Sequence, residues 1–478
     1  MEGANTVPVI EYGVLDNSTA ILNEGVLGGG DPSRQFDIPS VPQPELNNRS
    51  INVRVRKAVG GSSTINGLQL LRGTSDEYDM WAGLGAENST WNWAGLLLYF
   101  KKASTPIQNS VNFVSPLEEL AREFKITYDV DAAWGQDPSN QLYAGYPNYQ
   151  PPEIKLRYDA MHKIPNVDFP RDENAGTNGL YWYPSTMDPR TYTRSYALTG
   201  HWDNISRSNY QLITRSKVNK VLFDGDVATG VTLVPVNGSE KTTVRARKEV
   251  ILAAGTIHSP EILHLSGTGP ARLLQKANIT VKVDLPGVGA NFPDHWYIPG
   301  VNFKWTTQPQ IPVTKSGGDS STMLTRNLGA FLGLPAISSG DVDALAAKYE
   351  IQDSTDYLPK DTHADTLAGY KAQKAVFTRI LKSKNVSMLW QILLANPPAD
   401  PVFQHPVSRS IVNIDHMNSS AEPIVDYRAF SNPFDIEIMV QLVRFVRRFS
   451  QVKLMLLMDQ SKLVLELISR RTLNSKHG

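Results

Sequence analysis

Residues 210–256 read YQLITRSKVNKVLFDGDVATGVTLVPVNGSEKTTVRARKEVILAAGT, and no other stretch limits the fold so tightly. Short runs rich in β-branched residues are divided at Asp224-Gly225-Asp226 and Asn237-Gly238-Ser239, which are turn sequences that fold one strand back on the next. The series ends in an apolar strand, Glu249 to Ala254. The small residues Ala253, Ala254, Gly255 and Thr256 follow, and a helical run begins around Pro260. A strand that passes through small residues into a helix lets a ligand approach the backbone closely, and this makes the junction a candidate dinucleotide-contact region. Strands alternating with helices in this way predict an α/β chain.

A second region of the same kind lies at Lys57 to Gly73, KAVGGSSTINGLQLLRG. The pair Gly60-Gly61 relieves Cβ crowding, and Ser62, Ser63 and Thr64 bring hydroxyls and backbone donors that can face an anion. A phosphate cradle and a polar helix cap are both compatible with it. Near the start, TVPVIEYG at residues 6–13 is a short strand ending in Glu11 and closed by Gly13. A turn-rich passage through Gly28-Gly29-Gly30 follows, then a buried segment over Ile65 to Leu71 and partial helix over Asp76 to Ala103. Trp81, Trp91, Trp93, Tyr99 and Phe100 are expected to supply core bulk there, because no basic stripe interleaves them. Further on come a loop at 317–321, a helix over Ala364 to Leu381, a strand over 408–416 and a helix over Ile436 to Arg448. That last helix carries Arg444, Arg447 and Arg448 on its wet side.

Composition removes several function classes. Lys plus Arg and Asp plus Glu both number 47, so no electrostatic footprint for nucleic acid exists. No run of 18 apolar residues marks a transmembrane segment, and no secretory leader opens the chain. There is no cysteine, which excludes disulfides, thiolate metal sites and cysteine nucleophiles. The nine histidines are too scattered for a metal signature. Eight Asn-x-Ser/Thr sequons, at Asn17, Asn48, Asn88, Asn204, Asn237, Asn278, Asn385 and Asn418, lean toward a secretory ancestry.

Together these features resemble the glucose-methanol-choline family of flavin oxidoreductases, in particular its fungal aryl-alcohol and glucose oxidase-like branches. VGGSSTINGLQLLRG at 59–73, extended by DEYDMWAGLG at 76–85, is similar to the first family signature. EVILAAGTIHSPEILHLSGTGP at 249–270 is similar to the second. DLPGVGANFPDH at 284–295 and the segments 408–415 and 423–448 occupy family positions as well. The resemblance implies an FAD/NAD(P)-binding Rossmann-like domain from residues 1–105 and 205–300. An antiparallel-sheet substrate domain would come from 106–204 and 301–450, leaving an atypical tail at 451–478. It further implies FAD as cofactor and a small-molecule alcohol as substrate, oxidised at its CH–OH group by hydride transfer to the flavin. Glu11 would bind the adenosine ribose. Gly60, Gly61, Ser62 and Ser63 would lie along the pyrophosphate, with Asn66 and Gly67 nearer the flavin ring. The backbone of Val218 would approach the adenine, and Ala254 and Gly255 would pass close to the cofactor. Asp294 and His295 would follow a cofactor-proximal turn.

Two departures from the family pattern shape the functional expectation. Such a nucleotide fold places a strand and a GxGxxG turn about 20 residues before the ribose acid, yet only ten residues precede Glu11 and MEGANTVPVI holds no such motif. The Rossmann-like domain is therefore expected to be incomplete, lacking its first βα unit. Beyond Arg448 the sequence FSQVKLMLLMDQSKLVLELISRRTLNSKHG does not resemble the family segment that carries the catalytic histidine. No histidine, His477 included, is assigned that role. The alternative to an active oxidoreductase is an inactive truncated homologue or an incomplete gene model, with weak FAD binding and little alcohol-dependent flavin reduction expected.

Overall fold

The computed structural model describes residues 5–22, 32–101, 112–134, 142–203, 205, 207–299, 301, 304–305, 327–338, 340–393, 400–452 and 458–459. Gly28-Gly29-Gly30, the loop at 317–321 and the tail from 460 onward, with His477, lie outside the described residues.

The architecture is mixed α/β. The strand Val7–Ile10 pairs in parallel with Tyr210–Ile213, Val7 opposite Tyr210 and Ile10 opposite Ile213. Next to it in the chain, Ser216–Asp224, Val227–Pro235 and Thr242–Arg245 form the antiparallel meander that the turns at 224–226 and 237–239 predict. Its first hairpin is irregular between Val218 and Lys220, so Asn219 is left out of the ladder and the strand bends there.

A five-stranded antiparallel sheet makes up the second half. Its order is Trp296–Tyr297, Val402–Phe403, Leu389–Ile392, Leu328–Leu332 and Gly179–Trp182. Because side chains alternate across a strand, this sheet has two distinct faces. Leu180, Trp182, Leu328, Ala330, Leu332, Leu389 and Phe403 enter the main core, while Tyr181, Tyr183, Phe331 and Trp390 form an aromatic cluster of their own. The helix Phe434–Ser450 adds Phe434, Ile438, Leu442, Phe445 and Phe449 to the core, at helical spacing, and leaves Arg444, Arg447 and Arg448 exposed. Its fully buried Asp435 accepts from the backbone N–H of Val407 at 2.7 Å and of Ser408 at 2.9 Å, which fixes the helix start to the 408–416 strand region.

The helix Ser75–Leu84 begins with a capping box in which Thr74 accepts from Glu77 N–H and Glu77 accepts in return from Thr74 N–H at 2.8 Å. The other oxygen of Glu77 accepts from Ser387 N–H at 2.9 Å and lies 3.0 Å from His405 Nε2, so one carboxylate joins three segments. Burial alone would raise the Glu77 carboxyl, but His405 and the two backbone donors hold it below the ordinary range. A depressed carboxyl adds stability above its unfolded value and loses it as pH falls through the folded value. Glu77→Gln should therefore cost about 2 kcal/mol near neutral pH, since one amide oxygen cannot replace two charged acceptors. In urea titrations the gap between variant and parent should shrink below about pH 4.

Two expectations are corrected. Glu249 to Ala254 is not a strand: the backbone of Glu249 to Ala253 makes no hydrogen bond among the described residues. Apolar composition favours β structure, but a ladder also needs a neighbour. The aromatic run also divides. Trp93 and Phe100 pack with Tyr78, Trp81 meets the same ring edge-on at 5.1 Å while its other side stays exposed, and Trp91 and Tyr99 are exposed.

Candidate cofactor site

The Val7–Ile10 strand ends by placing Glu11 at the mouth of a large cavity. Glu11 N–H donates to Ile213 carbonyl at 2.8 Å, and Gly13 N–H donates to Glu11 Oε1 at 2.7 Å, so the carboxylate is held on a fixed turn. Burial raises the Glu11 carboxyl, and the Gly13 N–H and the charge of His258 partly offset that rise. Immediately beyond, the chain passes against Lys57 and Ala58. A Cβ on Gly13 would sit 2.0 Å from the Lys57 carbonyl carbon. That approach locks the strand end to the loop carrying Gly60.

Gly60 has φ +98° and Gly61 φ +51°, left-handed backbone that costs other residues strain. Nothing lies within 4 Å of a Cβ built on Gly61, so that residue serves conformation and open space. Ser63 Oγ donates to Gly60 carbonyl at 2.5 Å and accepts from Ala197 N–H at 3.2 Å. Asn66 Oδ1 accepts from Leu68 N–H at 3.2 Å and from the Arg194 guanidinium at 2.6 Å. These two side chains shape the turn from within.

Glu11, Gly60, Gly61, Ser62, Val218, Ala254 and Gly255 all line one cavity of about 2620 Å³. Asp294 and His295 line it too, with His295 Nδ1 3.7 Å from Asp294 Oδ1. Ser63, Asn66 and Gly67 lie outside its lining. The volume exceeds the roughly 300–1,000 Å³ of ordinary ligand pockets. One reason is visible along its apolar flank. Among the described residues the Val7–Ile10 strand has a single ladder partner and the Glu249 to Ala253 segment bordering the same space has none, and Ile251 is 68% exposed.

Several residues of the site carried no sequence signal. Buried Arg194 donates to Ile21 carbonyl at 3.1 Å, Ser63 carbonyl at 3.2 Å and Asn66 carbonyl at 3.0 Å, in addition to Asn66 Oδ1. His258 packs on Phe36 with ring centroids 4.4 Å apart and lies 3.2 Å from Glu422 Oε2. Burial raises the Glu422 carboxyl, but His258, Lys217 and Lys57 together bring it below its usual range. Lys217 pairs with buried Glu261 at 3.1 Å. His258 could have been found from its place in the first turn after Gly255. Arg194 could not, because its partners are more than a hundred residues away.

Comparison with known proteins agrees with this geometry. Residues 9–297 match the family model described as GMC oxidoreductase. The dehydrogenase xptC of Emericella nidulans is 33% identical over 460 residues, covering 92% of this chain and 72% of that protein. The GMC oxidoreductase family protein Mala s 12 of Malassezia sympodialis is 29% identical over 466 residues, 93% of this chain and 72% of its own. Among solved structures, an FAD-dependent oxidoreductase from Chaetomium thermophilum is 30% identical with a TM-score of 0.86, covering 98% of this chain and 82% of its own. A fungal aryl-alcohol oxidase is 28% identical with a TM-score of 0.84, covering 95% and 79%. With a family model matched over more than half its length, the chain belongs to the GMC oxidoreductases.

Proposed function

We propose that the chain is an FAD-dependent oxidoreductase that oxidises an alcohol CH–OH group. The observation that carries this reading is the convergence of Glu11, Gly60 to Ser62 and Ala254-Gly255 on one cavity. The residues present fit FAD in their donor and acceptor chemistry. An ionised Glu11 accepts hydrogen bonds only, as a pair of ribose hydroxyls requires. The N–H groups of Ser62, Gly255 and Thr256 have no protein acceptor among the described residues, and the last two open an eleven-residue helix, where anions are favoured. When bound, the flavin supplies the redox chemistry by accepting a hydride from the carbinol carbon.

The chain's own part is to hold the nucleotide and to take the alcohol proton. The sequence assigns no histidine as base, but the cavity lining offers one: His258 is occupied with Glu422, whereas His295 is half exposed in the cavity beside Asp294, and we place the proton acceptor there. At saturating FAD, His295→Gln should slow alcohol-dependent flavin reduction about 10²-fold, a usual cost of losing one acid-base group. FAD affinity should be unchanged, which stopped-flow bleaching and equilibrium titration would check together.

A second reading is favoured by the two backbone edges on the apolar flank that are unpaired among the described residues. A cavity with an open flank holds its ligand in water and pays for ordering the loops around it. On that reading the chain binds FAD weakly and turns over slowly. Titration with FAD, followed by anaerobic mixing with aryl and aliphatic alcohols, separates the two by affinity. No bleaching with any alcohol at saturating FAD would refute the oxidoreductase reading.

A further inference from the structure

The exposed turn after the helix Ser75–Leu84 shares no residue with the cofactor cavity and carries a sequon between two partly exposed tryptophans. Trp81 is 49% exposed and Trp91 62% exposed. With residues 85–90 they line a shallow depression of about 600 Å³. Exposed tryptophans set together around one depression, unlike scattered apolar residues, mark a surface that is covered by something. The sequence inside the depression indicates the cover. It is Asn88-Ser89-Thr90, with exposed Asn88 at its tip in left-handed backbone, φ +64°.

We propose that Asn88 is an N-glycan acceptor and that the first sugar of the glycan lies on Trp81 and Trp91. The turn is rigid enough to aim it: Gly85 N–H closes the helix on the carbonyls of Trp81 and Ala82, and Ser89 N–H donates to Ala86 carbonyl at 3.0 Å. Neither the Asn88 amide nor the Thr90 hydroxyl has a hydrogen-bond partner among the described residues, so both are free to engage a transferase. The donor is an oligosaccharide on a lipid pyrophosphate. Asn88 Nδ2 forms a bond to the sugar C1, the C1–O bond to the pyrophosphate breaks with its electron pair leaving on the lipid, and the amide proton passes to the transferase. The apolar C–H face of a pyranose then covers indole surface that otherwise stays in water.

The other sequons give an internal contrast. Asn385 is tied into the fold, its amide donating to Ser75 Oγ at 3.2 Å, Asp76 Oδ1 at 3.0 Å and Gly176 carbonyl at 3.3 Å while its oxygen accepts from Asn178 N–H at 3.0 Å. A glycan on Asn385 would take one of the two amide hydrogens that make the first three of these bonds and would push a sugar into the space Ser75, Asp76 and Gly176 occupy. Folded chain should therefore carry sugar at Asn88 and none at Asn385.

The test is to pass the full chain through a yeast secretory pathway and map its glycopeptides. Iodide quenching of tryptophan emission is then compared before and after enzymatic trimming to one sugar, and after complete removal. The proposal expects Asn88 occupied, quenching unchanged by trimming, and quenching raised on complete removal by up to the share of two tryptophans among nine. Asn88→Gln and Thr90→Ala, both at exposed positions, should reproduce the fully stripped state. A folded chain with bare Asn88, or an occupied Asn88 whose complete removal leaves quenching unchanged, overturns it.

Discussion

Alanine in place of Gly13 is expected to destabilise the protein by about 3 kcal/mol or more and to abolish FAD binding in the fraction that still folds. The added Cβ would lie 2.0 Å from the Lys57 carbonyl carbon, 2.1 Å from Ala58 nitrogen and 2.3 Å from Lys57 oxygen. All three are backbone atoms, so no rotamer change relieves the clash. The chain at 57–58 must retreat, and it leads directly into Gly60 and Gly61. Glu11 and the glycine turn would then move apart, although neither is mutated. An unfolding free energy from urea titration lowered by that amount, with loss of flavin quenching, is the expected result. The same substitution at Gly61, where a Cβ meets open space, should cost less, mainly through its left-handed backbone.

Removing Arg194 is the second large effect. One guanidinium donates to the carbonyls of Ile21, Ser63 and Asn66 and to the Asn66 side chain, so it acts as a clamp on the far side of the glycine turn. Arg194→Ala leaves these acceptors without their donor in a buried setting, at a cost of about 3 kcal/mol. Arg194→Lys restores a charge but not the planar fork, and should recover less than half of the loss. Both should weaken FAD binding through the loop, with the lysine variant intermediate. Thermal unfolding and FAD titration of the pair read the two consequences separately.

What the sequence revealed follows the range of the forces involved. The Val7–Ile10 strand, the 216–245 meander and the Phe434–Ser450 helix are written in local periodicity and turn residues, and all were legible. The glycines at 60 and 61 were readable as a turn, compatible with either a phosphate cradle or a helix cap, and the structure gives both residues left-handed backbone. Pairing is not local, so Glu249 to Ala254 reads as a strand in sequence and has no ladder among the described residues. Exposure is not local either. Trp81 and Trp91 have core chemistry but are exposed, one in the last turn of the helix Ser75–Leu84 and the other just beyond the turn that follows it, and only the fold reveals it. Ser63 and Asn66 belong to the right loop, yet their side chains turn inward to Gly60 and Arg194, a distinction that depends on a residue more than a hundred positions away.

The central claim is that Glu11 and the glycine turn form an FAD site, and equilibrium titration of the full chain with FAD, beside Glu11→Ala, tests it most directly. The parent should saturate at one FAD per chain. Loss of the carboxylate's hydrogen bonds to the ribose should weaken binding roughly 10- to 100-fold. Because the ionised acid is the acceptor and burial raises its pKa, parent affinity should fall with pH sooner than an ordinary carboxylate would dictate, and the alanine variant should lack that dependence. Saturable, pH-dependent binding that Glu11→Ala weakens is the predicted result. Binding that never saturates, or that is identical in parent and variant, would contradict the assignment.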